Sequence, residues 1–135
     1  MRKLAAGVAC AFVVASASAF AQDISFRSPT GNIHCMILSG ADIGARCDLL
    51  DFAQSYPRPA DCDLDWGFAF AVGATGAGQP ICAGDTIIDP NAPVLDYGHS
   101  VTGNGITCTS ARTGVTCVNA KGHGFTVARS TQKAF

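Results

Sequence analysis

Short runs in which apolar and β-branched residues alternate with polar ones recur along the chain, separated by turns rich in Gly, Asn, Asp and Pro. The turns come about every eight to twelve residues, which predicts an all-β domain: a small antiparallel sandwich or barrel built of hairpins. Strands are expected at Ile33 to Leu38, Ala45 to Leu49, Phe68 to Val72, Thr86 to Ile88, Gly105 to Ser110, Val115 to Asn119 and Phe125 to Arg129. Phe68-Ala69-Phe70-Ala71-Val72 is apolar at both parities, the mark of a strand covered on both faces. Gly73 to Gln79 reads as a flexible connection after it. Leu49, Leu50, Phe52 and Ala53 crowd one side of Asp48 to Ser55, which predicts a short helical turn ended by Pro57 and Pro59. Thr30-Gly31-Asn32-Ile33-His34-Cys35 echoes Thr102-Gly103-Asn104-Gly105-Ile106-Thr107-Cys108, and in each a second cysteine follows beyond a turn. Two related hairpins are therefore expected, although one recurrence is too few for a solenoid.

The start of the chain has a different pattern. Arg2 and Lys3 precede an apolar run from Leu4 to Val14, and Ala19-Phe20-Ala21 is the small-x-small motif of a signal peptidase site. Residues 1–21 thus read as an export signal, leaving about 114 residues for one small domain. The run softens at Ser16 and Ser18, short of the roughly 20 apolar residues a membrane span needs, so no membrane attachment is expected after cleavage. Loss of Arg2 and Lys3 moves the net charge from −1 to about −3, which argues against a nucleic-acid partner. Every acidic residue is Asp, and the 15 glycines exceed any charged type, a composition suited to strands and turns.

Cys10 leaves with the signal, and six cysteines remain, an even number in an exported chain. Cys35 and Cys47 flank the turn-rich Ser39 to Gly44, and Cys108 and Cys117 flank Ala111 to Gly114, so each pair is expected to bridge a hairpin. Cys62 then pairs with Cys82 by elimination. Closely spaced pairs of the CxxC type are absent from the sequence, so no zinc site is expected. Asp61-Cys62-Asp63-Leu64-Asp65 superficially resembles a calcium loop. Trp66 and Val72 stand where that loop needs Gly and Glu, so the run reads as a solvated edge with Leu64 turned inward.

Candidate chemistry is sparse. Gly84-Asp85-Thr86 and Asp89-Pro90-Asn91 have the residues of turns. His34, His99 and His123 belong to no catalytic motif, and Gly98-His99-Ser100 is not a nucleophile elbow. His99 and His123 remain candidates for lining a pocket. Pro57-Arg58-Pro59 is a stiff segment presenting one cation, a shape suited to an enzyme inhibitor. Trp66, Tyr56 and Tyr97 are candidates for a sugar-stacking platform, against the alternative of core anchors.

Phe26-Arg27-Ser28-Pro29-Thr30-Gly31-Asn32-Ile33-His34-Cys35, Arg46-Cys47-Asp48, Asp65-Trp66-Gly67, Cys82-Ala83-Gly84-Asp85-Thr86, Leu95-Asp96-Tyr97-Gly98, Gly114-Val115-Thr116-Cys117-Val118-Asn119 and Gly122-His123-Gly124-Phe125 form an ordered series. It resembles a family of small secreted bacterial proteins known only as a domain of unknown function. The resemblance runs from Phe26 to about Arg129 and implies bacterial export and six paired cysteines. It implies no reaction, ligand or functional residue.

These readings make the chain an exported binding or structural domain, non-enzymatic and without a cofactor, facing an envelope or extracellular protein or glycan. Two alternatives stand beside it. One is a small hydrolase of cell-wall or sugar polymers using Asp carboxylates near Trp66 or Tyr97, and the other an inhibitor of a secreted enzyme acting through Arg58.

Overall fold

A computed structural model describes residues 2–15 and 21–135. Most of the expected cleavage motif, Ala19 and Phe20, lies outside the described residues. Residues 2–15 form no helix or strand and bury nothing, with Leu4 98% exposed. Among the described residues no helix is long and apolar enough to cross a membrane.

Ten strands follow, arranged as two five-stranded sheets. The first contains β1 (Ile24–Arg27), β2 (Ile33–Leu38), β3 (Gly44–Leu49), β4 (Ala69–Gly73) and β5 (Gln79–Pro80). The second contains β6 (Ser100–Gly103), β7 (Ile106–Ala111), β8 (Gly114–Val118), β9 (Gly124–Val127) and β10 (Gln132–Ala134). Within each sheet, strands adjacent in sequence are adjacent in space, and every named pairing is antiparallel, so each sheet is a simple meander. The fold is all-β and carries three disulfides, Cys35–Cys47, Cys62–Cys82 and Cys108–Cys117.

Alternation sets what each strand buries. Phe26, Cys35, Ile37, Cys47, Leu49, Phe70 and Val72 point from the first sheet into the core. They meet Ile106, Cys108, Val115, Cys117, Phe125 and Val127 of the second. Phe70 and Phe125 lie 6.3 Å apart between ring centroids at the centre. Two bridges meet there as well. Cys35 faces Cys47 directly across β2 and β3, Cys108 faces Cys117 across β7 and β8, and the Cys47 and Cys117 sulfurs are 3.8 Å apart. The sequence echo thus falls on equivalent strands, because β2 and β7 are each the second strand of their meander. Gly124 permits the close approach of β9 to β8, since a Cβ there would collide with the Cys117 carbonyl.

Several sequence expectations need correction. Thr86 to Ile88 is not a strand, because the Ile87 N–H and Thr86 hydroxyl bond the Asp48 carboxylate and not a neighbouring strand. Asp48 to Ser55 makes no helical turn: Asp48 and Leu49 belong to β3, and the Leu50 N–H donates to the Asn32 carbonyl. Gly73 to Gln79 is pinned, since the Asn119 side chain donates to the Gly73 and Gly76 carbonyls at 3.1 and 2.9 Å. Leu64 is 53% exposed, because the Asp61 to Asp65 run is bent and lacks a strand's alternation. β1, β5, β6 and β10 extend the sheets beyond the expected strands.

Candidate binding site

The first sheet buries polar groups on the face turned away from the core. Asp48 alternates with the core residues Cys47 and Leu49 and so points outward, yet it is fully buried. A buried carboxylate is costly unless it is paired and hydrogen-bonded, and Asp48 has four donors. Arg46 gives Nε at 2.8 Å and Nη2 at 3.0 Å, Thr86 its hydroxyl at 2.9 Å, and Ile87 its N–H at 3.0 Å. Arg46 also reaches Asp85 with Nη1 at 3.0 Å. Burial lowers the Arg46 pKa, but hydrogen bonds and charge from Asp48 and Asp85 outweigh it and leave the guanidinium held above its ordinary value. Its hydrogen bond and charge push the Asp85 carboxyl below the usual carboxylate range. Beside them the His34 Nδ1 accepts the Asp89 N–H at 3.3 Å, and Nε2 donates to the Gly31 carbonyl at 2.9 Å. The segment from Asp85 to Asp89 is therefore fastened over the sheet as a roof.

The roof forms one wall of an open trough of about 550 Å³. Thr86 and Ile88 line this wall, and Phe52, Trp66 and Phe68 supply aromatic surface, with Arg58, Asp65 and Asp85 as the charged groups. Trp66 is fixed in orientation because its indole N–H donates to the Tyr56 carbonyl at 2.8 Å. Tyr56 is itself held edge-on to Phe70 at 5.7 Å, and its hydroxyl accepts the Ala134 N–H. Arg58 stiffens the same loop, donating from Nη1 to the Cys62 and Leu64 carbonyls at 2.8 and 2.6 Å. The Cys62–Cys82 bridge and the paired Asp65 and Ala83 tie this loop to the segment leading into the roof.

A second cavity of about 300 Å³ lies on the other side of the short segment after β3. Leu50 and Phe52 face the trough, while Asp51 between them lines the second cavity. Asp51 pairs there with Arg129 at 2.8 Å, and the Arg112 guanidinium stands 4.8 Å from the centroid of the Tyr97 ring.

The structure thus brings together Arg58 and Trp66 and places Tyr97 in the other cavity. Tyr56 is a buttress between Trp66 and the core, so the three aromatics do not form one platform. His99 and His123 are exposed and line neither cavity. Phe52, Phe68, Arg112 and Arg129 were not singled out by sequence, because their roles depend on loops that meet only in the folded chain. The closest group of metal-type donor atoms among the described residues is Cys35, Cys47 and Cys117, whose sulfurs are already in disulfides.

A match covering residues 6–135, both cavities and all three bridges included, decides the kinship. The chain belongs to the Family of unknown function (DUF6636). No curated protein and no solved structure matches the chain. As a member of DUF6636 it inherits no assigned chemistry, so function is argued from the cavities alone.

Proposed function

We propose that this protein is an exported, non-catalytic binding domain whose trough takes a pyranose ring of an envelope or extracellular glycan. The observation that carries the reading is the convergence of Phe52, Trp66 and Phe68 in one trough edged by Arg58, Asp65, Asp85 and Thr86. Aromatic faces accept the C–H face of a sugar, and charged and hydroxyl groups at the rim meet its hydroxyls. The site is also prepared in advance. Trp66, Arg58 and the roof are each tied to backbone or to a buried carboxylate, so little side-chain freedom is lost on binding.

Three disulfides fit an oxidising compartment. The signal-like first 21 residues, read with them, support a periplasmic or secreted bacterial protein. The hydrolase reading requires a carboxyl group held protonated as general acid, and Arg46 drives Asp85 the opposite way. The inhibitor reading requires a free cation at Arg58, whose Nη1 is engaged by two carbonyls.

Calorimetric titration with chitotetraose and cellotetraose tests the proposal. Saturable binding to at least one is expected, lost in Trp66→Ala, with no reducing ends released on prolonged incubation. Equal binding by Trp66→Ala, or steady release of reducing ends, would reject a non-catalytic trough.

A further inference from the structure

We propose that the second cavity, independently of the trough, is a binding site for a small carboxylic acid, with Arg112 as the anion-recognising group. Four arginines of the folded domain already have oxygen partners: Arg27 donates to the Ala92 carbonyl, Arg46 to Asp48 and Asp85, Arg58 to two carbonyls and Arg129 to Asp51. Arg112 makes no hydrogen bond or ion pair among the described residues. It is exposed, and its one contact among them is aromatic. It occupies the two-residue turn between Ala111 and Gly114, which face each other across β7 and β8, and its guanidinium lies over the Tyr97 ring.

That contact uses the charge of the guanidinium and gives its N–H groups no oxygen partner. Their planar fork matches the two oxygens of a carboxylate. The charge balance agrees, because Arg112 and Arg129 against Asp51 leave the cavity one positive charge in a chain of net −1. One charge suits a carboxylate better than a phosphate dianion. The Asp51–Arg129 pair is solvent-exposed on both sides, so Arg129 can exchange partners at little cost when an anion enters. Asn32 bonds the Asp51 main chain in both directions and keeps that wall in place. A cavity of about 300 Å³ has the size for one sugar acid or one dipeptide.

The test is an NMR titration of the oxidised protein with glucuronate, N-acetyl-alanyl-alanine and inorganic phosphate, with glucose and the methyl ester of glucuronate as neutral counterparts. Saturable shifts are expected at the amides of Asn32, Tyr97, Arg112 and Arg129 with at least one carboxylic acid, and the tighter of the two acids identifies the source. The neutral molecules should leave these amides in place. Arg112→Gln should weaken binding by about tenfold or more, and Arg112→Lys, which keeps the charge and loses the fork, should fall between. Tyr97→Leu should weaken it severalfold by releasing the guanidinium. Phosphate binding tighter than both acids, equal binding of the ester, undiminished binding by Arg112→Gln, or no saturable shift with either acid at tens of millimolar would each overturn the proposal.

Discussion

The two sheets share one topology and one cross-strand bridge but treat their outer faces in opposite ways. The second sheet leaves its outer face to a set of hydroxyl pairs, Ser100 with Thr109, Thr102 with Thr107 and Thr116 with Thr126, at 2.7, 2.9 and 2.8 Å. These groups satisfy one another and need no cover. The first sheet places His34, Arg46 and Asp48 on the corresponding face and completes them with a segment from far along the chain. The source of the difference is the connections. Those within the second sheet are short, whereas residues 50–68 and 81–99 are long irregular segments that leave the first sheet. Segments longer than about 12–15 residues without secondary structure are usually functional or disordered. Here they are fastened by the Cys62–Cys82 bridge and by hydrogen bonds from Arg58 and to Asp48; they build most of the trough and give Asp51 and Tyr97 to the second cavity. A repeated scaffold thus carries the trough beside the outer face of one sheet, while the second cavity draws Arg112, Gly114 and Val115 from the β7–β8 hairpin of the other.

The contrast is sharpest at Asp48. Asp48→Ala should destabilise the protein by about 3 kcal/mol or more, because it leaves Arg46 partly buried with only the exposed Asp85 as partner and strands the Ile87 N–H. Thr116→Val on the open face should cost less than about 1 kcal/mol. Chemical denaturation of the two variants compares them directly, and similar costs would erase the distinction. Next in size is the roof's staple. Replacing Cys62 and Cys82 by Ala should cost about 3 kcal/mol, with hydrogen exchange rising in residues 52–66 and 81–88 and not in β7 or β8. Uniform loosening of both sheets would contradict a locally anchored roof.

Acid provides a smaller probe of the same face. The folded-state pKa of Asp85 is depressed, so its contribution is present above the ordinary carboxylate pKa of about 4 and is lost as pH falls through the folded value. Asp85→Asn should therefore flatten the fall in thermal stability below about pH 4 without changing stability's response above pH 5. An unaltered acid limb would remove the Arg46–Asp85 contact from the account. The smallest effect belongs to the second sheet, where the Ser110 hydroxyl is buried without a partner among the described residues. Ser110→Ala should be neutral or stabilising within about 0.5 kcal/mol in thermal denaturation.

The sandwich was legible in the sequence because hairpins write themselves locally. Cys35 and Cys47, like Cys108 and Cys117, flank a single turn, and the alternation around them fixes which residues face inward. β6 was not among the expected strands although its signal is local: Asn104-Gly105 is a strong two-residue hairpin pair, and both residues adopt positive φ, 53° and 80°. β10 had no such signal, since the three residues Gln132–Ala134 carry no periodicity and become a strand only by pairing with β9. Thr86 to Ile88 misleads because β-branched residues suit any extended chain, and only the distant carboxylate of Asp48 decides what bonds it. The cavities show the same limit. Trp66 and Tyr97 stand out as aromatics, but the partners that give them meaning, Phe52 and Phe68 for one and Arg112 for the other, are chosen by loop packing.

Trp66 is the only tryptophan in the chain, so its fluorescence reports the trough and nothing else. Titrating the oxidised protein with chito- and cello-oligosaccharides while recording that emission is the most direct test of the central claim. A saturable change with at least one of them, persisting in Arg112→Gln, is the predicted result. Emission unchanged across both series at tens of millimolar, from a protein that remains folded, would contradict it.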